Sequence, residues 1–514
     1  MSRSATPSPK PDRGPGARRP PAQRARALLA PARRVPVRPA LFLAATLALG
    51  TAASCAINPV TGQRELALIS ESQEIQIGRD ADRDISQSMG LYEDAALQAY
   101  VQALGERMAR ESERPNLPWT FRVIDDPVVN AFALPGGFIY VTRGIMAHFS
   151  SEAELAGVLG HEIGHVTARH GVSQVSRAQL AQLGLGIGTI LAPDLAGVAD
   201  VAGAGLGLLF LRYGRDAERQ ADDLGLAYMT REGYDPREMA ATFEMLARAS
   251  GAEDGDRIPG FLSTHPDPLD RRERILARID AGEVDGSRVD RDSYLQRLSG
   301  MPFGENPREG FFRQGRFHHP ELRFRMDFPS DWRTLNQKQG VQAVSPEQDA
   351  LLVLTLASES TAAQARDAFA RQQGVTASGA RGATVNGLNA ARMEFQAALQ
   401  DGGRLQGTAM FIEHGGLVYR ILGYAPEARW AARSPRIMDA IGSFRDETDA
   451  AILAVQPRRI ELVRLPESMT LEGFHQRYPS TVSMEEIGTI NRLRAGQPIS
   501  QGTLLKRVTG GQLP

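Results

Sequence analysis

The first third of the chain changes from a helical to a strand-like pattern of apolar positions. Between Ser70 and about Ser112, apolar residues recur at three- and four-residue spacing among charged residues, which predicts helical structure. Two strand-like runs follow, WTFRVIDD and VNAFALPGGFIYVT, and the Pro-Gly-Gly at 135–137 places a turn inside the second run. We therefore expect a helical segment followed by a small sheet.

An apolar helix is predicted next. Ser151 and Glu154 form an S-x-x-E capping box, and the helical pattern continues to about His170, where Gly171 ends it. Three small residues lie four apart on one face and predict the close approach of another backbone: Gly160, Gly164 and Ala168. Each glycine costs a helix roughly 1 kcal/mol relative to alanine, so such a stripe needs a packing reason.

The segment from Leu180 to Leu211 is unusually apolar and rich in glycine. Pro193 and two aspartates interrupt it, so neither half reaches the ~20 residues of a membrane span. We predict two buried helices under a lid, with an amphipathic hairpin at a membrane surface as the alternative. Further elements are predicted beyond it: helices Asp216–Thr230, Pro236–Ser250 and Leu269–Ala281, a loop Asp254–Thr264, and a weakly structured linker Gly300–Gly315.

The second half has the pattern of an α+β domain followed by a small module. Residues 316–445 contain strand-like runs (LRFRMDFP, VQAVSP, ALLVLTLA, GLNAARMEFQAAL, RLQGTAMFIEHG, LVYRILGY) and helical runs (TAAQARDAFARQQ, EARWAARSPRIMDAIGSF). The last part predicts strand, helix, helix and strand. The chain is assigned to the α+β class with five parts: a basic extension and signal peptide (1–54), a first domain (55–300), a linker (301–315), an α+β domain (316–447) and a terminal module (456–510).

Charge is distributed unevenly along the chain. Residues 1–40 hold ten lysines and arginines, one acid (Asp12) and nine prolines, a composition that does not bury a core. The remaining residues hold 49 basic and 59 acidic side chains, of 59 and 60 in the whole chain. An acidic body argues against nucleic acid as a partner.

The basic extension leads into ALFLAATLALGTAASC, which ends at Cys55. A basic flank, an apolar run of this length and small residues before a cleavage point are typical of an export signal. The end resembles a bacterial lipobox, although Ala52 stands where leucine is preferred, so we expect Cys55 to be lipidated and to begin the mature chain. The alternative is an ordinary signal peptide. Cys55 is the only cysteine in the sequence, which excludes an intramolecular disulfide.

Three of the nine histidines lie within VLGHEIGHVTARH, residues 158–170. On a helix, His161 and His165 share a face, and two neutral imidazoles at that spacing can bind one Zn²⁺. Glu162 stands beside them, able to take a proton from the attacking water. The alternative is a polar helix face with satisfied histidines. His170 lies about half a turn round the helix from His161, so we expect a structural or surface residue outside the site.

A zinc hydrolase needs a third protein ligand, and GRDAERQADDLG, residues 214–225, offers one. Glu218 would complete a His₂Glu set. Asp222, one turn later, would accept the other N–H of a ligand histidine, His161. Alone, this run would be a solvated charged helix, but its place about fifty residues after H-E-x-x-H supports a metal site.

These motifs, with VNAFALPGGFIYVTRG before them and STHPDPLDRR after them, resemble the HtpX-like, CAAX-prenyl-protease-related family of gluzincin metallopeptidases. The similarity covers about Asn58 to Ala281 and is strongest for the periplasmic lipoprotein branch, which includes the beta-barrel assembly-enhancing protease. The resemblance implies a mainly helical zincin-type domain with a small edge-stranded sheet and one zinc ion per chain. It implies these roles: His161, His165 and Glu218 as ligands, and Glu162 as the catalytic base.

The resemblance also implies roles outside the two motifs. The edge strand at Asn130, Ala131 and Phe132 would bind substrate in extended form by strand addition. His265 would lie over the metal, either as a self-inhibiting fourth ligand or as a stabiliser of the oxyanion, with an ordinary turn residue as the alternative. Arg271 would face the site and take part in catalysis.

The later domains resemble known modules less closely. RMDFPSDW resembles the strand and turn of small α+β domains similar to the PsbP fold, with a plain interaction domain as the alternative. The terminal part resembles a LysM module at six positions, although ESMTL replaces the usual G-D-T-L: Leu471, Phe474, Tyr478, Ile487, Ile490 and Asn491. The sequence leaves two roles for this module: contact with peptidoglycan, or simple packing on the first domain.

The sequence thus predicts a zinc endopeptidase of the bacterial cell envelope that hydrolyses misfolded or stalled outer-membrane proteins. Ala56 is not an inner-membrane retention aspartate, so we expect a lipid anchor in the outer membrane, facing the periplasm, with the outer-membrane assembly machinery as a candidate partner. The alternative is a non-catalytic or latent envelope scaffold or chaperone. An integral-membrane prenyl-type protease would need several long apolar spans, which this sequence lacks.

Overall fold

The computed structural model describes residues 55–185, 208, 212–249, 260–399 and 403–511. The predicted extension and signal peptide (1–54) and most of the predicted apolar pair of helices at 180–211 lie outside these residues. Within the described part of the chain, no helix is long and apolar enough to cross a membrane.

The predicted helical stretch 70–112 is two helices, α1 (Glu71–Ser88) and α2 (Ala95–Arg110). The chain turns between them at Gly90, whose φ of +73° lies in the left-handed region that favours glycine. Leu91 then forms an isolated antiparallel bridge with Ile124. The continuous apolar spacing concealed this break, although the buried apolar residues of α1 and those of α2 belong to different hydrophobic clusters.

The small sheet has three strands in the order β3-β5-β4, after a short hairpin of β1 (Cys55–Ile57) and β2 (Arg64–Leu66). Strand β3 (Thr120–Ile124) pairs parallel with β5 (Phe138–Thr142), and β4 (Ala131–Leu134) pairs antiparallel with β5. The predicted Pro-Gly-Gly turn joins β4 to β5, with φ of +82° at Gly136 and +99° at Gly137. Strand β4 is therefore an edge strand, as predicted.

A short helix, α3 (Arg143–His148), leads into α4 (Glu152–Thr167), which carries the H-E-x-x-H motif. The Ser151 side chain accepts a hydrogen bond from Glu154 N as predicted, but Glu154 reaches back to Ser150 N instead of completing the box. The predicted end at Gly171 is wrong. Helix α4 ends at Thr167, Arg169 takes a φ of +58°, and a new helix, α5 (His170–Leu185), begins.

Helix α6 (Arg215–Arg231) packs closely against the small-residue stripe of α4. A Cβ added at Gly160 would lie 2.9 Å from Gly225 O, and one at Gly164 would lie 3.0 Å from Ala221 O. The remaining helices of this domain are α7 (Pro236–Ala249), α8 (Phe261–Thr264), α9 (Pro268–Asp280) and α10 (Arg291–Arg297). The predicted loop 254–264 therefore ends in a short helix, α8, and its first part lies outside the described residues.

The predicted linker 301–315 is instead packed and ordered. Met301 and Phe303 are buried in the core, and Arg143 Nη1 donates to both Pro302 O and Gly304 O at 2.9 Å. The segment then forms a 3-10 turn (Pro307–Glu309) and β6 (Phe311–Arg313), which pairs with the next strand. Its Gly and Pro content suggested a linker, but its apolar residues pack against the first domain.

The α+β domain contains two antiparallel sheets, ordered β12-β13-β14-β15-β11-β10-β9 and β16-β8-β7-β6. The strands are β7 (Arg316–His319), β8 (Phe324–Asp327), β9 (Arg333–Gln337), β10 (Gly340–Val344), β11 (Leu351–Ala357), β12 (Val375–Val385), β13 (Leu388–Ala398), β14 (Arg404–His414), β15 (Leu417–Pro426) and β16 (Arg445–Asp446). Helices α11 (Ala362–Ala370) and α12 (Glu427–Gly442) complete it, as the two helical runs predicted.

A short helix, α13 (Ala450–Leu453), precedes the terminal module, which has the predicted order of strand, two helices and strand. Its elements are β17 (Arg459–Arg464), β18 (Met469–Thr470), α14 (Leu471–Arg477), α15 (Met484–Asn491), β19 (Pro498–Ile499) and β20 (Leu504–Thr509). The module packs on the start of α4 and on α7: Ser150 Oγ donates to Ile490 O at 3.0 Å, and Arg492 Nη1 lies 3.2 Å from Glu154 Oε1 and 2.6 Å from Glu238 Oε2.

Candidate metal centre

Four buried side chains from three helices converge at the middle of α4. His161 and His165 come from α4, Glu218 comes from the first turn of α6, and His265 caps the C-terminal end of α8. One donor atom from each lies within 4.8 Å of the other three. His165 Nε2 is 3.0 Å from His161 Nε2, and Glu218 Oε1 is 3.5 Å from His165 Nε2. The close α4–α6 packing brings the glutamate to this position.

The donor set has the chemistry of a zinc site. Imidazole nitrogens and one carboxylate are typical zinc ligands, and imidazole binds metal in its neutral form. Burial lowers the pKa of His161 to about 4 and lowers the pKa of His165 well below its usual value. Both imidazoles are therefore neutral near pH 7 and ready to bind a cation.

Glu162 stands beside the cluster with both carboxylate oxygens buried and without a hydrogen-bond partner among the described residues. Its Oε1 lies 3.7 Å from His265 Nε2. Burial raises the pKa of the Glu162 carboxyl to about 7, and nearby His265 opposes that rise. A buried, unsatisfied carboxylate costs stability, which is typical of a group kept for chemistry.

His265 occupies the space between the carboxylates of Glu218 and Glu162. Its Nδ1 lies 3.0 Å from Glu218 Oε1 and 3.2 Å from His161 Nε2. Burial disfavours the charged ring, but Glu218 and Glu162 outweigh burial and raise its pKa. The four-donor arrangement is closed in this conformation, and the sequence placed His265 there only through the family resemblance.

Asp222 and Arg271 lie behind the cluster. His161 Nδ1 donates to Asp222 Oδ1 at 3.0 Å, the contact that the sequence predicted. Arg271 donates to both oxygens of Asp222, at 2.6 and 2.9 Å, and its Nη1 lies 3.2 Å from Glu218 Oε2. Burial opposes ionisation of Asp222, but Arg271 and His161 outweigh it and hold its pKa well below the usual range.

The structure places Arg271, and not its neighbour Arg272, at the site. Arg271 faces the site, whereas Arg272 extends toward Glu244 at 3.5 Å. However, Arg271 contacts the far side of Glu218 and Asp222 and lies over the ring of Phe243, at 4.2 Å from the ring centroid. It therefore holds the carboxylates of Glu218 and Asp222 in position, and its part in catalysis stays a prediction.

Two residues near the site were not found from the sequence. The ring of Tyr213 stacks on His165 with 4.0 Å between centroids. His170, which we expected outside the site, is buried, and its Nδ1 lies 3.0 Å from His165 Nδ1. His170 is not one of the four donors of the metal cluster, as expected, but its contact with His165 was not predicted, because α4 ends before His170 and helical angles no longer apply. For Tyr213, which follows an apolar run, no sequence signal was available.

The predicted substrate strand is the edge strand β4. Thr142 N donates to Asn130 O at 3.0 Å, and Ala131 and Phe132 pair with β5. The other edge of β4 pairs with no strand within the described ranges. Ala133 and Leu134 of β4 line a small pocket together with His165, so the strand lies near the metal cluster. Substrate binding at this edge stays a prediction.

The fold and the site define a class: an α+β metallopeptidase whose H-E-x-x-H helix receives a glutamate ligand from a neighbouring helix. The family model of peptidase family M48 matches residues 95–279. The chain is 32% identical over 234 residues to the mitochondrial metalloendopeptidase OMA1 of Schizosaccharomyces pombe, covering 44% of this chain and 67% of that protein. This chain belongs to peptidase family M48, a family of zinc-dependent metalloproteases.

Two other relatives have similar identity. The mitochondrial metalloendopeptidase OMA1 of Arabidopsis thaliana is 33% identical over 220 residues, 42% of this chain and 43% of that protein. The beta-barrel assembly-enhancing protease of Escherichia coli strain K12 is 32% identical over 222 residues, 41% of this chain and 45% of that protein. The match spans less than half of the length of these two relatives.

Proposed function

We propose that this chain is a zinc-dependent endopeptidase of the bacterial cell envelope that hydrolyses misfolded or stalled outer-membrane proteins. Family membership supports the peptidase class, and a relative named as a beta-barrel assembly-enhancing protease supports envelope substrates. The observation that carries the proposal is the buried carboxylate of Glu162, which has no hydrogen-bond partner among the described residues and lies beside a cluster of His161, His165 and Glu218.

The side chains divide the work as follows. His161, His165 and Glu218 would hold the zinc ion, which would supply Lewis-acid chemistry for a water and for the substrate carbonyl. Glu162 takes the proton of the attacking water at its free carboxylate and delivers it to the leaving amine. Asp222 and Arg271 hold the ligands in position, and the free edge of β4 binds the substrate backbone as an added strand.

In this proposal, His265 keeps the resting peptidase inactive. A closed set of four protein donors is typical of structural zinc sites, whereas catalytic sites keep one position for water. Since His265 lies within hydrogen-bond distance of Glu218, we propose that it occupies the fourth position in the resting chain. Activity then requires His265 to move, after which it is available to stabilise the oxyanion. A permanently closed site would instead support the alternative, a non-catalytic scaffold or chaperone.

Location and partners complete the proposal. A lipid on Cys55 anchors the chain to the outer membrane, where it faces the periplasm near the outer-membrane assembly machinery. The terminal module is a LysM-like module that contacts peptidoglycan through its exposed loops, at 466–468 and 494–498. Its packing on the first domain uses other residues, among them Ile490 and Arg492, so packing and glycan contact are compatible. The domain at 316–447 is PsbP-like.

Casein cleavage with zinc present tests the peptidase directly, using the chain from Ile57 and its Glu162→Gln and His265→Ala variants. Cleavage by the wild type that disappears in Glu162→Gln supports the peptidase and its base together. Cleavage seen only in His265→Ala supports latency. If none of the three cleaves although zinc is bound, the scaffold alternative replaces the peptidase.

A further inference from the structure

The two histidines of the H-E-x-x-H motif have different partners on their Nδ1 atoms. His161 Nδ1 meets the carboxylate of Asp222. His165 Nδ1 instead lies 3.0 Å from the Nδ1 atom of a third histidine, His170. The other ring nitrogen of His170, Nε2, lies 3.0 Å from Gln220 Oε1, on the same helix as Glu218. A row of hydrogen-bonding groups therefore runs from the metal cluster through two imidazoles to an amide.

The arrangement fixes where each hydrogen sits. His165 faces the cluster through Nε2, which lies 3.0 Å from His161 Nε2. An imidazole that binds a cation through Nε2 keeps its hydrogen on Nδ1, so His165 Nδ1 donates and His170 Nδ1 accepts. The hydrogen of neutral His170 is then on Nε2, where it donates to the amide oxygen of Gln220. Each ring nitrogen and amide oxygen in the row is then either a donor or an acceptor, and no two hydrogens point at each other.

We propose that His170 and Gln220 are positioning residues for zinc: together they hold His165 in the one tautomer and orientation that presents Nε2 to the metal. This inference rests on the proposed zinc peptidase and adds two residues to its site. Outer partners of metal-binding histidines are usually carboxylates or carbonyls, and changing them costs about 10- to 100-fold in metal affinity. Here a neutral histidine and an amide take that place.

The backbone break after α4 makes this placement possible. Arg169 has a φ of +58°, which is rare for a residue with a β-carbon and needs compensation from its surroundings. Hydrogen bonds of its guanidinium compensate for this conformation: Nε donates to Glu74 Oε2 and Nη2 donates to Ile69 O, both at 3.0 Å. The turn directs His170 back to His165, and His170 is 8% exposed.

Zinc affinity tests this proposal independently of catalysis. We would titrate the zinc-loaded protein with a chromogenic chelator and compare two matched pairs of variants. His170→Leu removes the acceptor, whereas His170→Asn keeps an oxygen at the position of Nδ1. Gln220→Met removes the second acceptor at similar size, whereas Gln220→Glu keeps it. His148→Leu is the control, because His148 is a partly buried histidine whose Nδ1 lies 2.8 Å from Gly144 O, away from the cluster.

The expected result is a loss of zinc affinity of about 10- to 100-fold in His170→Leu and a smaller loss in Gln220→Met. His170→Asn and Gln220→Glu should stay within a few-fold of the wild type, as should His148→Leu. Thermal unfolding of the zinc-free variants shows whether each one folds. If His170→Leu does not fold, the comparison of Gln220→Met with Gln220→Glu decides, because Gln220 is partly exposed.

Each other outcome overturns a defined statement. Unchanged affinity in both His170→Leu and Gln220→Met shows that the row does not position His165. Equal losses in His170→Asn and His170→Leu show that the accepted hydrogen bond is not the cause. A wild type that binds no zinc overturns the proposed function itself, and the inference about His170 and Gln220 with it. A failure of the proposed function is therefore distinguishable from a failure of this inference alone.

Discussion

At the scale of single residues, charge compensation decides how the candidate metal centre is built. The carboxylate of Asp222 is fully buried, which costs several kcal/mol for an unpaired ion. Arg271 pairs with both of its oxygens and also contacts Glu218, so two buried carboxylates share this cation, and Arg274 Nη2 lies 3.4 Å from Asp222 Oδ2 as well. A bound zinc ion would add two further positive charges beside Glu218.

Asp222→Asn is expected to weaken zinc binding about 10- to 100-fold, because the neutral amide loses the ion pair with Arg271 and keeps only one acceptor oxygen for the hydrogen bonds of His161 and Arg271. The measurement is zinc affinity by chelator competition. Asp223→Asn is the control, since Asp223 is next in sequence but half exposed and bonds only surface arginines such as Arg278. Equal effects of the two substitutions would contradict this account of Asp222.

The sequence could predict part of this site because helix geometry is regular. A spacing of four residues placed His161 beside His165 on one helix. The same spacing placed Asp222 one turn from Glu218 on another. His265 and Arg271 came only from the family resemblance, because tertiary packing brings them in. The contact of His170 with His165 was not predicted, since it depends on a left-handed turn at Arg169, a conformation that sequence rarely signals for arginine.

At the scale of elements, the contact between α4 and α6 sets the distance between the two halves of the site. Glycines at the crossing let the helix backbones approach, and a side chain there would meet backbone atoms that cannot move aside. The sequence signalled this contact through the stripe at 160, 164 and 168. It did not signal β12 (Val375–Val385), because that strand is exposed along most of its length and lacks the alternation of a half-buried strand.

Gly160→Ala is expected to lower the unfolding temperature although alanine favours helix. The new Cβ would lie 2.9 Å from Gly225 O, and overpacking of this kind costs about 1–3 kcal/mol, more than the roughly 1 kcal/mol gained in helix propensity. Gly442→Ala, at the end of α12 with open space around its position, is the control and should be neutral or stabilising. A stabilised Gly160→Ala would show that the helices separate easily.

At the scale of the whole molecule, the terminal module supports the start of the H-E-x-x-H helix. Lys506 on β20 is completely buried, and its Nζ donates to Ala147 O at 2.9 Å and to Phe149 O at 2.5 Å. Burial lowers the pKa of Lys506 well below its usual value. The carbonyls it satisfies lie just before α4, so the module and the peptidase helix share one packed core.

Lys506→Met should destabilise the chain by about 1–3 kcal/mol, because buried carbonyls lose their donor. We expect limited proteolysis to cut the terminal module faster in this variant. Arg507→Met is the control, as Arg507 pairs with Glu461 near the surface, where an ion pair contributes about 0–1 kcal/mol. Equal proteolysis of both variants would mean that Lys506 does not hold the module in place.

Lipidation of Cys55 is the prediction that fixes the location of the molecule. Expressed from the full sequence in a bacterium, the wild type should carry a lipid mass on the peptide that begins at Cys55 and should fractionate with the outer membrane. Cys55→Ser should lack the lipid and appear in the periplasmic extract. Recovery of an unmodified Cys55 peptide from the wild type would overturn the lipoprotein assignment.

The most direct test of the central claim measures zinc content and casein cleavage together in the wild type, Glu162→Gln and Glu218→Gln, with His265→Ala added to each to remove latency. We predict about one zinc per chain in the first two and much less in Glu218→Gln, with cleavage in the first alone. Full zinc content in the Glu218→Gln variant would contradict the assignment of the ligands. Cleavage by the Glu162→Gln variant would contradict the assignment of the base.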